Sequence, residues 1–206
     1  MVIKVCGITC QEDARFLVEL GLDFCGFIFH PKSPRSVTLD EAARIETGDM
    51  QRVGVFVHDR IDEILSTMQK ARLSYAQLHG DQSVELAQTI GPERVIRVVW
   101  PQRFCHRAQL CSALLKFAPT CAYYLLDAGT KGGGSGSPLD WAELSELSLP
   151  HPWFLAGGLT TTNILYALQE TRCGGIDVNS GVESSPGKKD HTKLRTLVDL
   201  VRSRYR

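Results

Sequence analysis

The stretch MVIKVCGIT, residues 1–9, decides how the rest of the chain is read. Val2, Ile3 and Val5 are β-branched and favour a buried strand, interrupted by Lys4. The run stops at Cys6-Gly7, a thiol and a glycine. A strand that carries a reactive group at its carboxyl end and then turns sharply belongs to an architecture that places chemistry at strand ends. The remaining sequence therefore has to show whether this unit repeats.

It recurs about eight times. Short β-rich runs occur at Val2–Val5, Phe24–Phe29, Val53–Val57, Tyr75–Leu78, Val95–Val99, Ala122–Leu126, Trp153–Ala156 and Gly175–Val178. Most are continuously apolar rather than alternating, as expected of parallel strands covered on both faces. Amphipathic stretches with helix-start signals lie between them. Thr9-x-x-Glu12 and Thr38-x-x-Glu41 have capping-box spacing, Asp59 precedes IDEILSTMQKA, and Thr160–Thr162 precede NILYALQET, where Ile164, Leu165 and Leu168 are expected to share one face. A last helix is expected over roughly Lys189–Arg202. The fold class is thus α/β: a (β/α)8 TIM barrel forming a single domain over residues 1–206, with a doubly wound open sheet as the competitor.

Composition narrows the function. Of the 206 residues, 43% are hydrophobic and 22% charged, and no apolar run approaches the roughly 18 residues of a spanning helix. Lysine and arginine number 23 against 23 acidic residues, so no overall field draws the protein to nucleic acid or a membrane, and a small ligand is expected. Seven scattered cysteines without a CxxC pair fit neither a disulfide framework nor a zinc site. Reduced thiols and a cytoplasmic location follow as expectations. Oligomeric state, monomer or homodimer, is not legible.

In a barrel of this class the active site is built at the carboxyl ends of the strands. That rule collects Cys6, Arg35, His79, Asp127, Gly157-Gly158 and Asn179-Ser180-Gly181. Cys6 reads either as a small buried hydrophobe or as a base or nucleophile whose pKa is lowered by a helix starting near Thr9. Asp127 follows Tyr123-Tyr124-Leu125-Leu126, an apolar approach expected to raise its pKa and make it a general acid; the alternative is a loop-bracing carboxylate. Arg35, in a loop stiffened by Pro31 and Pro34, is either solvated or a fork for a carboxylate or phosphate. The glycine loops after the seventh and eighth strands offer bare backbone N–H groups to a phosphate. Asp177 would repel that anion, so it is expected to brace the loop or accept a ligand hydroxyl. His79 reads as titrating near neutrality or as a structural histidine, and the glycine-rich run Gly129–Gly136 as a lid or a plain loop.

These residues together resemble the phosphoribosylanthranilate isomerase family. The matching motifs are KVCGIT (4–9), GFIFHPKSPR (26–35), VGVF (53–56), QLHG (77–80), LLD with GGGSG (125–136), LAGGL (155–159) and DVNSGVE with PGKKD (177–190), in order along nearly the whole chain. The resemblance implies a barrel catalysing the Amadori rearrangement of N-(5-phosphoribosyl)anthranilate, with Cys6 as general base, Asp127 as general acid, Arg35 on the anthranilate carboxylate, and Gly157, Gly158, Asn179, Ser180 and Gly181 on the phosphate. His79 and Asp177 are further candidates for substrate contact. The iminium formed on ring opening is itself the electron sink, so the implied reaction needs no metal and no organic cofactor. The chain departs from the family pattern at Ser135, Leu139 and His30. Another phosphosugar isomerase or epimerase, and a non-catalytic phosphosugar-binding regulator, are the rival readings.

Overall fold

The computed structural model of the protein describes residues 1–128 and 141–204. The expected lid at Gly129–Gly136, with Leu139, lies outside the described residues. Eight parallel strands run β1 Val2–Val5, β2 Phe24–Ile28, β3 Gln51–Phe56, β4 Tyr75–Leu78, β5 Val95–Val99, β6 Tyr123–Asp127, β7 Trp153–Ala156 and β8 Gly175–Val178. Each pairs with its sequence neighbour, and β1 closes on β8 with Val2 opposite Gly175 and Val5 opposite Val178. Closure excludes the open doubly wound sheet. Helices α1 Gln11–Glu19, α2 Leu39–Arg44, α3 Ile61–Lys70, α4 Val84–Ile90, α5 Arg107–Phe117, α6 Trp141–Ser145, α7 Ile164–Thr171 and α8 His191–Arg204 alternate with the strands. Among the described residues no helix is long and apolar enough to cross a membrane.

The continuous apolar runs have the expected cause. Outward residues such as Ile3, Val5, Phe27, Leu78, Leu126 and Ile176 pack against the helices, while Phe24, Val53, Ile96, Leu125 and Phe154 fill the barrel itself. At the amino end of the strands Phe24, Tyr75, Tyr123 and Phe154 pack ring against ring with centroids 5.4–6.0 Å apart. Gly175 leaves room for them, because a Cβ there would sit 2.8 Å from Phe154 Cδ1. One pleat higher the interior turns polar: Lys4, Gln77 and Asp177 are all buried.

Helix starts follow the sequence less closely than strands do. The Thr38–Glu41 capping box forms, with Thr38 Oγ1 accepting from the Glu41 N–H at 3.2 Å and the Glu41 carboxylate accepting from the Thr38 N–H at 2.7 Å. The Thr9–Glu12 box does not form. Helix α1 begins after Cys10 without a side-chain cap, and the Thr9 hydroxyl instead donates to the Gly187 carbonyl at 2.6 Å. Arg60, not Asp59, precedes α3. Asn163 precedes α7, where Ile164 and Leu168 are buried but Leu165 is 41% exposed. The final helix starts at His191, because Lys188–Lys189 form a strand, β10, paired antiparallel with β9 at Glu183–Ser185.

Candidate active site

At the carboxyl end of the barrel a cavity of about 310 Å³ is lined by Cys6, His79, Asp127, Gly157, Gly158, Asp177, Asn179, Ser180 and Gly181. These are the predicted site residues with the exception of Arg35. Ile28, His30, Ser33, Val55, Val57, Gln77 and Leu125 complete much of its wall.

The Cys6-Gly7 junction is explained by what surrounds it. The Cys6 N–H donates to the Val178 carbonyl at 2.9 Å, which extends the β1–β8 ladder by one rung. Gly7 then turns the chain at φ +73°, and a Cβ there would lie 2.8 Å from Asn179 Oδ1 and 3.0 Å from Arg35 Cδ. Across β2, Gly26 clears space for the thiol, since a Cβ there would meet Cys6 Sγ at 2.8 Å. Cys6 is 4% exposed, and burial pushes its thiol pKa up, against the opposing pull of the Lys4 ammonium. The expectation of a thiol acidified by a helix start near Thr9 is therefore corrected: α1 begins only after Cys10, and desolvation dominates.

Lys4 is fully buried two residues before Cys6, and so shares its face of the strand. Its Nζ donates to Asp177 Oδ2 at 2.8 Å from the directly paired position of β8. Burial alone would lower the Lys4 pKa, but the Asp177 and Cys6 charges outweigh it and raise it, which keeps the ammonium charged. Asp177 Oδ1 is buried without a partner among the described residues. Asp177 thus braces the barrel centre through one oxygen.

Asp127 ends β6 and reaches the same cavity, half-buried, after the buried run Tyr124–Leu126. His79, one residue beyond β4, meets the Trp100 ring edge-on at 5.2 Å, with Gln77 Nε2 3.4 Å from its Nδ1. Burial lowers its pKa, outweighing the Asp127 and Asp177 charges that raise it, and so favours the neutral imidazole.

The two glycine loops meet at one corner. Gly157 and Gly158 adopt φ +98° and +68°, and a Cβ at Gly158 would touch nothing within 4 Å, leaving its backbone open. Asn163 fastens this loop, donating from Nδ2 to the Gly158 carbonyl at 2.9 Å and accepting the Thr160 N–H at 2.8 Å. Any side chain at Gly181 would collide with the Leu159 carbonyl, so the loops after β7 and β8 run in contact.

Arg35 is placed differently from the other predicted residues. Its guanidinium forks onto Glu183, Nη2 to Oε2 at 2.7 Å and Nε to Oε1 at 2.9 Å. Lys189 Nζ donates to the same carboxylate and to Asn179 Oδ1, both at 2.9 Å. Burial would raise the Glu183 pKa, but these hydrogen bonds hold it below the ordinary glutamate range. Sequence reasoning gave no role to Glu183, put Lys189 in a helix, and treated Lys4 as an interruption. Only Lys4 had a local signal: a lone charge in a buried strand, in phase with Cys6.

Comparisons with known proteins agree with this geometry. Residues 3–200 match the family model for N-(5'phosphoribosyl)anthranilate (PRA) isomerase. The chain is 53% identical to the N-(5'-phosphoribosyl)anthranilate isomerase of Desulfovibrio desulfuricans, over 98% of this chain and 95% of the relative, and 44% identical to that of Maridesulfovibrio salexigens, over 94% and 95%. Among solved structures it superposes on phosphoribosyl anthranilate isomerase from Thermotoga maritima with a TM-score of 0.87 at 36% identity, covering 98% and 100% of the two chains. A phosphoribosyl anthranilate isomerase in complex with reduced 1-(o-carboxyphenylamino)-1-deoxyribulose 5-phosphate matches with a TM-score of 0.82 at 34% identity, with the same coverage. With the family model matching residues 3–200 and relatives of 53% and 44% identity covered over 95% of their length, the chain belongs to the N-(5'-phosphoribosyl)anthranilate isomerase family.

Proposed function

We propose that Cys6 is the general base and Asp127 the general acid of this isomerase. The enzyme converts N-(5-phosphoribosyl)anthranilate to 1-(2-carboxyphenylamino)-1-deoxy-D-ribulose 5-phosphate, a step of tryptophan biosynthesis. Asp127 gives its proton to the ribose ring oxygen as the C1–O bond breaks, and the anilino nitrogen pushes in to form an iminium. The Cys6 thiolate then removes the C2 proton, and the C–H electron pair moves into the iminium to give a neutral enolamine. Tautomerisation moves the C2 hydroxyl proton to C1 and yields the ketone. The product is an isomer of the substrate, with no electron gained or lost.

The observation that carries this reading is the single cavity shared by the thiol, the carboxyl group and both glycine loops. Gly157, Gly158, Asn179, Ser180 and Gly181 hold the phosphate, whose binding energy positions the reacting carbons. Arg35 holds the anthranilate carboxylate through the Nη1 edge of its fork, Glu183 having taken the Nε/Nη2 edge. The free Oδ1 of Asp177 and the neutral ring of His79 contact the sugar. Seven free cysteines support a reducing, cytoplasmic location, where the chain works as a monomer or homodimer.

A turnover assay that follows loss of anthranilate-type fluorescence tests the assignment. Cys6→Ala and Asp127→Asn each lower kcat by about 10²–10⁴-fold with unchanged circular dichroism. Near-native turnover in either variant sinks the role given to that residue.

A further inference from the structure

A thiol deep in a barrel is a poor base, because removal from water favours its neutral form. Something at the site has to offset that, and the groups facing Cys6 can be taken element by element. Its own strand contributes Lys4, β8 contributes Asp177, and β10 contributes Lys189. The loop after β2 contributes Arg35 and β2 contributes Cys25, while His79 and Asp127 share the cavity. Of the cations, Arg35 and Lys189 are both bound to Glu183. Lys189 Nζ is further committed to Asn179. Lys4 stands apart: fully buried, on the same strand face as the thiol, hydrogen-bonded to Asp177, and near enough for its charge to act on Cys6.

We propose that Lys4 is a positioning residue for the isomerisation: its ammonium, clamped from β8 by Asp177 on the strand face it shares with Cys6, is the counter-charge that offsets burial of the sulfur and favours its thiolate inside the cavity. The order of influences on Cys6 agrees, since the pull of Lys4 exceeds the push of Asp177. A neutral residue at position 4 would remove that offset and push the thiol pKa higher still. Lys4 acts through Cys6 and moves no proton.

The inference rests on Cys6 as the general base, and its test therefore reads the sulfur directly rather than through turnover. Full-length protein is treated with iodoacetamide across a pH series, and alkylation of the Cys6 peptide is followed by mass spectrometry, which separates it from exposed Cys10 and Cys105. In Lys4→Met the midpoint for Cys6 alkylation rises by about one pH unit or more, and the rate near neutral pH falls about tenfold. The acid limb of kcat/KM moves in parallel. The double variant Lys4→Met/Asp177→Asn removes both charges, so no buried carboxylate is orphaned, and it too shows a raised midpoint. It decides the question if the single variant does not fold. A wild-type midpoint in a folded Lys4→Met protein or in the double variant overturns the proposal. Full turnover in Cys6→Ala, beside a raised midpoint in Lys4→Met, would instead overturn the role of the thiol and leave the electrostatic coupling standing.

Discussion

The two ends of the barrel are built from the same eight strands and have opposite chemistry. At the amino end Phe24, Tyr75, Tyr123 and Phe154 form an aromatic plug, while at the carboxyl end Cys6, Asp127, Asp177 and the glycine loops surround a cavity. Between them lies a layer holding the buried Lys4–Asp177 ion pair. The contrast separates two tasks. Apolar contact at one end supplies stability at little cost in specificity, and polar groups at the other spend part of that stability to hold charges out of water. Substitutions at the two ends should therefore dissociate activity from stability.

The largest effect expected is on turnover. Cys6→Ala removes one small buried side chain and should lower kcat by about 10²–10⁴-fold while moving the unfolding midpoint little. If thermal unfolding shows that Cys6→Ala loses stability on the scale of a large core deletion, the separation of the two ends fails. Phe154→Ala is the converse at the amino end. It deletes a ring in contact with Phe24 and Tyr123 and should destabilise by about 3–5 kcal/mol in denaturant unfolding, with kcat of the folded fraction preserved.

A third variant addresses the polar mouth itself. Glu183 neutralises both Arg35 and Lys189, so Glu183→Gln leaves two cations with a neutral acceptor and should cost about 2–3 kcal/mol. The pH dependence carries a sign. Because the folded pKa of Glu183 lies below its unfolded value, its contribution is present above the ordinary glutamate range, near about 4.3, and is lost as pH falls through the folded value. Glu183→Gln should therefore show a shallower loss of stability on acidification than the wild type. Urea midpoints collected at mildly acidic pH values would reveal this, and parallel slopes would contradict it.

The ease with which each region can be read from sequence follows from the range of its interactions. Strands β1, β4, β5, β7 and β8 have the limits expected from their apolar runs, because burial on both faces leaves a dense local pattern. The cavity was equally legible, since strand-end position alone selects Cys6, Asp127 and the glycine loops. What escaped was long-range. The Thr9 hydroxyl leaves its expected helix cap for a carbonyl 178 residues away, and Lys4 finds Asp177 across 173 residues. Arg35 likewise meets Glu183 across 148 residues, on the short β9–β10 pair that follows β8. No window around positions 9, 35 or 183 contains that information.

The smallest prediction sits on the outer layer, away from both ends, and serves as a reference for them. Thr38 and Glu41 form a reciprocal cap on α2, a six-residue helix whose buried contribution is Ala42. So short a helix has little propensity of its own, and its first turn depends on the cap to satisfy free N–H groups. Thr38→Ala removes the acceptor for the Glu41 N–H and should cost about 1 kcal/mol, a lowering of Tm by a few degrees for a chain of this size. Glu41 still accepts the residue 38 N–H after the change, so the loss stays below that of deleting both halves of the cap. Thr38 is not part of the cavity lining, and kcat and KM should hold at wild-type values. A Thr38→Ala enzyme with altered KM would show that the loop carrying Arg35 depends on α2 for its position, and would extend the functional end of the barrel outward into its helical shell.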